Sequence, residues 1–273
     1  MDGILKEVGF KHIFYSILCH EKIDCIFDMI KNIKKYNKDY KVSIILNINH
    51  YLSKLIKEKN INLPENVIIN TDISEKIHST HTILKGHLSN FNYIKDLDFD
   101  YFCLLASNCM FIRNINYNYI DTFYKKKYDV IKKADGFKLQ TGWHWDSIYR
   151  NEKIINIFKE RDMALYDSQH EGRVYVKYMF NELNNEITKL KIFDLIQVDT
   201  LFEEFLLSTF ERYLFGTEVP IVCKIFWSNH NYIASIEDIE KIRKDDSIIS
   251  VVKRVSREID DPIRKYIMIG YKR

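Results

Sequence analysis

Two adjacent glutamates stand near the start of an apolar, helix-like stretch of this 273-residue chain. The stretch covers residues 199–213 (DTLFEEFLLSTFERY), and Glu203 and Glu204 precede its main apolar run. A glutamate at the head of a helix that faces a cleft is suited to act as a general base, taking a proton from a sugar hydroxyl. The helix dipole alone also favours acidic residues there. The residues by themselves leave both interpretations open.

A basic pair interrupts an apolar segment near the C-terminus. In SVVKRVSREIDDPIRKYI, Lys253 and Arg254 follow two valines, and Arg257 and Arg264 come shortly after. Two neighbouring cations could bind a diphosphate and stabilise the negative charge that develops on it as a leaving group. The alternative is a surface turn in which these cations form ordinary salt bridges to Glu258 and Asp260 nearby.

Polar residues follow three of the predicted strands. In open α/β sheets, ligands bind at the carboxyl ends of the strands, so these positions are candidates for nucleotide contacts. They are His20 after the first strand, Asn49 and His50 after the second, and Ser107 and Asn108 after the fourth. The chain has no glycine-rich phosphate loop and no GxGxxG pattern, which argues against a Rossmann dehydrogenase or a P-loop enzyme.

Metal binding would need carboxylates after the fourth strand. A metal-dependent sugar-nucleotide transferase places Asp-x-Asp there to hold a divalent ion against the diphosphate, whereas this strand ends in Ser-Asn-Cys. The acidic residues Asp96, Asp98 and Asp100 precede the strand and are interpreted as a solvated turn. His78 and His81 share one helical face, but no further Cys or His completes a zinc site. We therefore expect neither metal nor cofactor.

Two tryptophans, Trp143 and Trp145, flank a histidine in a predicted loop (TGWHWDS). Exposed aromatic rings suit stacking against a sugar, so the pair is a candidate contact for a glycan acceptor. Core packing is an equally good explanation of these two residues.

The order of apolar segments predicts the elements that position these residues. Short apolar runs alternate with amphipathic stretches over the first hundred residues, which is typical of an α/β fold with a mostly parallel sheet flanked by helices. Strands are predicted at 12–19, 41–48, 66–70 and 101–106, and helices at 21–36, 51–58 and 79–97. Further on, the pattern predicts helices at 174–184, 199–213 and 236–243, a strand at 221–227, and a last helix that begins at Asp260 or Asp261.

The pattern also predicts the organisation of the chain. One domain, 1–273, is expected, with a nucleotide-binding half at 1–112 and an acceptor-binding and catalytic half at 113–273. The less regular stretch 113–173 is expected to hold acceptor-binding loops. No repeat or linker interrupts the chain.

Composition excludes several classes of protein. A hydrophobic fraction of 46% with 8 Gly and 3 Pro excludes disorder and collagen-like structure. The 41 basic and 38 acidic residues are interspersed, which argues against nucleic-acid binding. No apolar run is long enough for a membrane span, the first residues lack a signal-peptide pattern, and the 5 cysteines fit a reducing compartment. We expect a cytoplasmic protein, with peripheral membrane association left open.

Four segments together resemble glycosyltransferase family 14, the core-2/I-branching N-acetylglucosaminyltransferases and peptide xylosyltransferases. HIFYSILCHEKIDCIFDMI resembles the family's opening strand, histidine and helix, with His20 at the histidine. DYFCLLASNCMFIRN is similar to its fourth strand, which lacks Asp-x-Asp. FEEFLLST resembles its Asp-Glu-x-x-x-x-Thr segment, and SVVKRVSRE resembles its closing segment with a basic pair. The four segments occur in the family's order over about a third of the chain.

The resemblance implies a GT-A-like (Rossmann-like), metal-independent, inverting glycosyltransferase. It implies that Glu204 is the catalytic base and that Lys253 and Arg254 bind the diphosphate of a UDP-sugar. The transferred sugar would be N-acetylglucosamine or xylose, and the acceptor a glycan or glycolipid. Asn49 and His50 replace the Asp that the family has after its second strand, which leaves the donor open. The rival hypotheses are a metal-dependent GT-A transferase that uses Asp96–Asp100 and a non-catalytic glycan- or nucleotide-binding protein.

Overall fold

A five-stranded sheet forms the centre of the protein. The computed structural model describes residues 11–20, 22–38, 40–70, 72, 82–125, 137–138, 148, 150–195, 201–226, 232–244 and 248–270. The strands are β1 (His12–Cys19), β2 (Lys41–Ile48), β3 (Val67–Asn70), β4 (Tyr101–Ala106) and β6 (Val174–Val176), in the spatial order β3-β2-β1-β4-β6. The first four run parallel and β6 is antiparallel to β4. The predicted α/β class with a mostly parallel sheet is confirmed.

Helices cover both faces of this sheet, which explains why its central strands are nearly continuous apolar runs. In β1, alternate side chains such as Tyr15 and Ile17 pack on one face with α1 (Ile23–Tyr36). Phe14 packs on the other face with α3 (Thr82–Ile94). Every residue of β1 is buried. Burial on both sides therefore fixes the register of the strand, because a one-residue slip would exchange the two faces.

The remaining helices follow in chain order. They are α2 (His50–Glu58), α4 (Tyr117–Lys125), α5 (Glu152–Lys159), α6 (Lys177–Lys189), α7 (Ile192–Leu195), α8 (Phe202–Phe215), α9 (Ile236–Lys244) and α10 (Pro262–Ile269). The predicted start of the last helix is confirmed, since Asp261 accepts a hydrogen bond from the Ile263 amide at 2.8 Å as the N-cap before Pro262. No helix in the described part of the chain is long and apolar enough to span a membrane.

A second, three-stranded sheet combines distant parts of the chain. It has the order β5-β8-β7, formed by β5 (Cys109–Phe111), β8 (Val251–Lys253) and β7 (Cys223–Lys224). β5 and β8 are antiparallel, and Lys253 stands opposite Cys109. This sheet therefore brings the basic segment to the residues that directly follow β4.

Three sequence predictions are corrected by the structure. The predicted helix at 174–184 begins only at Lys177, because Val174–Val176 pairs with β4. Within the described residues, the predicted strand at 221–227 shrinks to Cys223–Lys224, with Ile221 in an isolated bridge to Arg173. The stretch 113–173, expected to be irregular, contains α4 and α5.

One glycine is required where the chain passes between the two sheets. Gly172 has a φ of +79°, and its amide donates to the Leu104 carbonyl at 2.7 Å. A Cβ atom at this position would lie 2.3 Å from the Cβ of Cys223. The turn therefore needs both the left-handed backbone and the missing side chain of glycine.

We expect Gly172→Ala to destabilise the protein by about 2–5 kcal/mol, as left-handed strain and overpacking add. Gly216→Ala is the matched control, because Gly216 has a φ of +71° but no described atom within 4 Å of its added Cβ. Gly216→Ala should lower the free energy of unfolding only by the backbone strain, about 1–2 kcal/mol. Urea unfolding of both variants measures the difference, and equal losses would show that the contact with Cys223 relaxes without cost.

Candidate functional site

The carboxyl ends of β1 and β4 meet the C-terminal basic segment. His20, which follows β1, is exposed, and its Nε2 lies 3.2 Å from Nη2 of Arg257. The carbonyl of Asn108, after β4, accepts a hydrogen bond from the Val255 amide at 3.2 Å. Ser107 beside it is buried. The structure therefore brings three of the predicted nucleotide-binding residues together with the segment that carries Lys253 and Arg254.

The two candidates after β2 lie at the same edge of the sheet, one strand further on. Asn49 is the N-cap of α2, and its side-chain oxygen accepts from the Leu52 amide at 2.8 Å. His50 is exposed as the first residue of that helix. Asparagine is among the preferred N-cap residues, so the sequence itself carried a signal for this structural role. Nucleotide binding by either residue stays a prediction.

The segment 166–173 runs along α8 and places further polar groups at this edge of the sheet. The Ser168 amide donates to the Glu204 carbonyl at 2.8 Å. The Tyr166 amide donates to Oγ1 of Thr209 at 3.0 Å, and the Ser208 hydroxyl donates to the Tyr166 carbonyl at 2.9 Å. Glu204 itself is buried in the first turn of the helix. The first and second turns of α8 thus hold the segment that ends in His170 and Glu171.

A buried ion pair links this segment to β8. The ammonium of Lys253 contacts Oε1 of Glu171, and Nε2 of His170 lies 3.2 Å from the same oxygen. Glu171 is 1% exposed, whereas the side chain of Lys253 retains 23% of its surface. An ionised carboxylate only accepts hydrogen bonds, so the His170 tautomer that satisfies this contact carries its proton on Nε2.

Electrostatics keep the ion pair charged and the histidine neutral. Burial would raise the pKa of Glu171, but His170 and Lys253 lower it to about 2. Burial alone would lower the pKa of Lys253, and Glu171 raises it above its ordinary value. Burial lowers the pKa of His170 to about 4, with Lys253 and Arg173 acting in the same direction. At neutral pH the group therefore consists of one carboxylate, one ammonium and an uncharged imidazole.

A second carboxyl beside this pair is fully buried. Glu203 is 0% exposed, and neither of its carboxyl oxygens has a hydrogen-bond partner among the described residues. Burial raises the pKa of Glu203 well above its ordinary value, and the charges of Glu204 and Glu171 raise it further, whereas Lys253 lowers it. A lone buried carboxylate is strongly disfavoured, so this group holds its proton at neutral pH.

The other basic residues of the closing segment have mixed roles. Glu258 pairs with Lys22 at 2.7 Å, and Asp260 pairs with Lys265 at 3.3 Å. Arg264 is buried against Asp28 at 2.8 Å and serves the fold. Arg254 adopts a φ of 70° immediately after β8.

The acidic turn before β4 lies at the opposite edge of the sheet. Oδ2 of Asp100 accepts from the His12 amide at 2.8 Å, and the Asp98 carbonyl contacts the His12 ring at 2.9 Å. The rival site at Asp96–Asp100 is therefore remote from the carboxyl ends of the parallel strands. Within the described ranges, no three His, Cys, Asp or Glu side chains are grouped as metal ligands.

Four of the residues considered in the sequence lie outside the part of the chain that the structure describes. Trp143 and Trp145, proposed for the acceptor, lie outside the described residues, as do His78 and His81.

Sequence reasoning missed Glu171 and His170. The signal available was Gly172 directly after them, since a glycine in a polar segment indicates a tight turn.

Comparisons with known proteins give a limited match to a glycosyltransferase. No protein-family model matches the chain. A chondroitin synthase of Pasteurella multocida (strain Pm70) is 32% identical over an alignment of 123 residues that covers 42% of this chain and 12% of that protein. The chain thus spans about an eighth of the length of that synthase. Membership of family 14 stays a prediction.

Among solved structures, the 4-diphosphocytidyl-2C-methyl-D-erythritol synthase from Anaerococcus prevotii DSM 20548 overlaps with a TM-score of 0.36 at 14% identity. The overlap covers 66% of this chain and 77% of that chain. At this level the overlap carries no inference, and the fold class stands on the strands and helices themselves.

We expect Glu203→Gln to stabilise the protein increasingly as pH rises. The raised pKa of Glu203 means that its contribution to stability is fully present below its ordinary pKa of 4.5 and is lost as the pH rises through the folded-state pKa. Gln does not ionise, so the variant should not lose this stability as the pH rises. Urea unfolding from acid to mildly alkaline pH measures it, with Glu182→Gln on the exposed face of α6 as control. Parallel curves for wild type and Glu203→Gln would contradict the assignment.

Proposed function

We propose that this protein is a glycosyltransferase that moves a sugar, N-acetylglucosamine or xylose, from a UDP-sugar to a hydroxyl group of a glycan or glycolipid. The observation that carries the proposal is that Lys253 contacts Glu171 and lies near the Glu203 carboxyl at the head of α8, in the segment that meets the residues after β1 and β4. Ligands of open α/β sheets bind at that edge. The partial likeness to a chondroitin synthase supports the same reaction class.

The proposed reaction is a single displacement with inversion. Glu204 accepts the proton of the acceptor hydroxyl, whose oxygen attacks the anomeric carbon. The bond from that carbon to the diphosphate breaks, and its electron pair leaves on the diphosphate oxygen. Lys253 and Arg254 stabilise the charge that develops there, which favours the transition state over bound substrate. The acceptor is proposed to contact the tryptophans of the 143–145 loop.

Metal independence is part of the proposal. The residues after β4 are Ser107 and Asn108 rather than two carboxylates, and the cations of the closing segment stand close to them through the contact of Asn108 with Val255. In this arrangement, positively charged side chains stabilise the negative charge of the diphosphate, as a divalent ion does in metal-dependent transferases.

Product analysis with a panel of UDP-sugars tests the function and its rivals together. Transfer that persists in excess chelator supports the proposal, and strict dependence on manganese favours the metal-dependent alternative. Binding of a nucleotide sugar in a thermal-shift assay, with neither transfer nor donor hydrolysis, favours a non-catalytic binding protein.

Glu204→Gln should lower transfer by a factor of about 10²–10⁴, because the amide cannot accept the acceptor's proton. Donor affinity, measured by calorimetry, should change by less than about twofold, since the base acts on the acceptor. Glu218→Gln is the matched control, because Glu218 pairs with Arg212 at 2.8 Å at the far end of α8. Loss of transfer in Glu203→Gln but not in Glu204→Gln would move the role of base to Glu203.

A further inference from the structure

The lysine proposed to bind a diphosphate already has a counter-ion inside the protein. Lys253 contacts Glu171, and the two members of this pair differ in exposure, with the carboxyl at 2% and the ammonium-bearing side chain at 23%. A cation that was held only for an external anion would not need a buried carboxylate in contact with it. An anion that binds to Lys253 therefore shares the ammonium with Glu171 or displaces it, and either way it competes with the resident carboxylate.

The carboxylate is fixed and the ammonium is the movable partner. Glu171 sits beside Gly172, whose amide donates to Leu104 at 2.7 Å, and the Glu171 carbonyl accepts from Nε2 of Gln169 at 3.1 Å. The backbone of Lys253 is held in β8, but four methylene groups separate it from the charge. An incoming anion would therefore draw the ammonium toward the open side of the site and leave Glu171 where it is.

The groups that face Glu171 determine the cost of this movement. His170 lies on the same segment, Glu203 comes from α8, Lys253 from β8, and the thiol of Cys223 from β7. His87 of α3 packs on the ring of His170, with centroids 5.9 Å apart. Lys253 is the cation in contact with the Glu171 carboxylate. Withdrawal of its charge leaves a buried carboxylate undercompensated, which is expensive in a low-dielectric interior.

We propose that Glu171 is a positioning residue that holds Lys253 as its resident counter-ion, so that only a multiply charged anion, such as the diphosphate of a nucleotide sugar, competes for the ammonium. A singly charged anion offers no more charge than Glu171 does and gains nothing by the exchange. The identity of the diphosphate rests on the proposed function, whereas the exchange itself rests on the ion pair.

The test is calorimetric binding of UDP-N-acetylglucosamine to the wild-type protein and to Glu171→Gln. Removal of the competing carboxylate should tighten binding about tenfold, within the usual range of coupling free energies between two ligands. Glu218→Gln is the control for loss of a negative charge elsewhere.

The outcomes separate the inference from the proposed function. Weaker or unchanged binding in a folded Glu171→Gln would overturn the inference and leave the proposed function standing. If no nucleotide sugar binds to either protein, the proposed function fails, and inorganic sulfate then tests the exchange by its stabilisation of each protein. Greater stabilisation of Glu171→Gln by sulfate supports the exchange, and equal stabilisation overturns it. Should Glu171→Gln not fold, the wild type decides, since stabilisation by formate equal to that by sulfate at the same ionic strength contradicts the exchange.

Discussion

The fold and the site both depend on one fully buried ion pair. Arg173 and Glu211 are each 0% exposed and in direct contact, and Glu211 also accepts hydrogen bonds from the Tyr175 hydroxyl and from the Val219 amide at 3.2 Å. Removal of one member of such a pair leaves an uncompensated charge in the interior, which costs about 3–5 kcal/mol. The pair joins the segment before β6 to the last turns of α8, so the positions of the sheet edge and of that helix are not independent.

This connection decides where the chemically useful groups lie. From Arg173 the chain runs back through Glu171 to Ser168 and Tyr166, which meet the helix again at the Glu204 carbonyl and at Thr209. The carboxyl groups of Glu171 and Glu203 therefore share one region on the two sides of the same interface. Lys253 enters that region from the second sheet, and its charge is what makes a buried Glu171 tolerable.

The sequence was informative where a strand's neighbours on both faces are apolar. The bounds of β1, β2 and β4 follow directly from largely apolar runs such as HIFYSILC, because burial on both faces leaves few polar positions. The sequence pattern assigns the residues of β6 to a helix, because three residues are too few to show the alternation of a strand. Their pairing with β4 depends on residues some seventy positions away in the sequence. The site shows the same division. The candidates Glu204 and Lys253 follow from the local pattern and the resemblance, whereas Glu171 is recognisable only through its contact with a residue 82 positions away.

The Thr209 of the Glu-x-x-x-x-Thr pattern illustrates why a motif's spacing carries structural information. Thr209 lies five residues after Glu204, and its hydroxyl oxygen accepts from the Tyr166 amide at 3.0 Å, while the Glu204 carbonyl accepts from the Ser168 amide at 2.8 Å. Five residues of helix rise about 7.5 Å. This spacing lets residues 166 and 168 of the neighbouring segment bond to α8 at two points. A residue inserted into either the helix or the 166–168 segment would shift Glu171 relative to α8. The positions of the carboxyl groups therefore depend on these backbone hydrogen bonds and not on contacts between the carboxyl groups themselves.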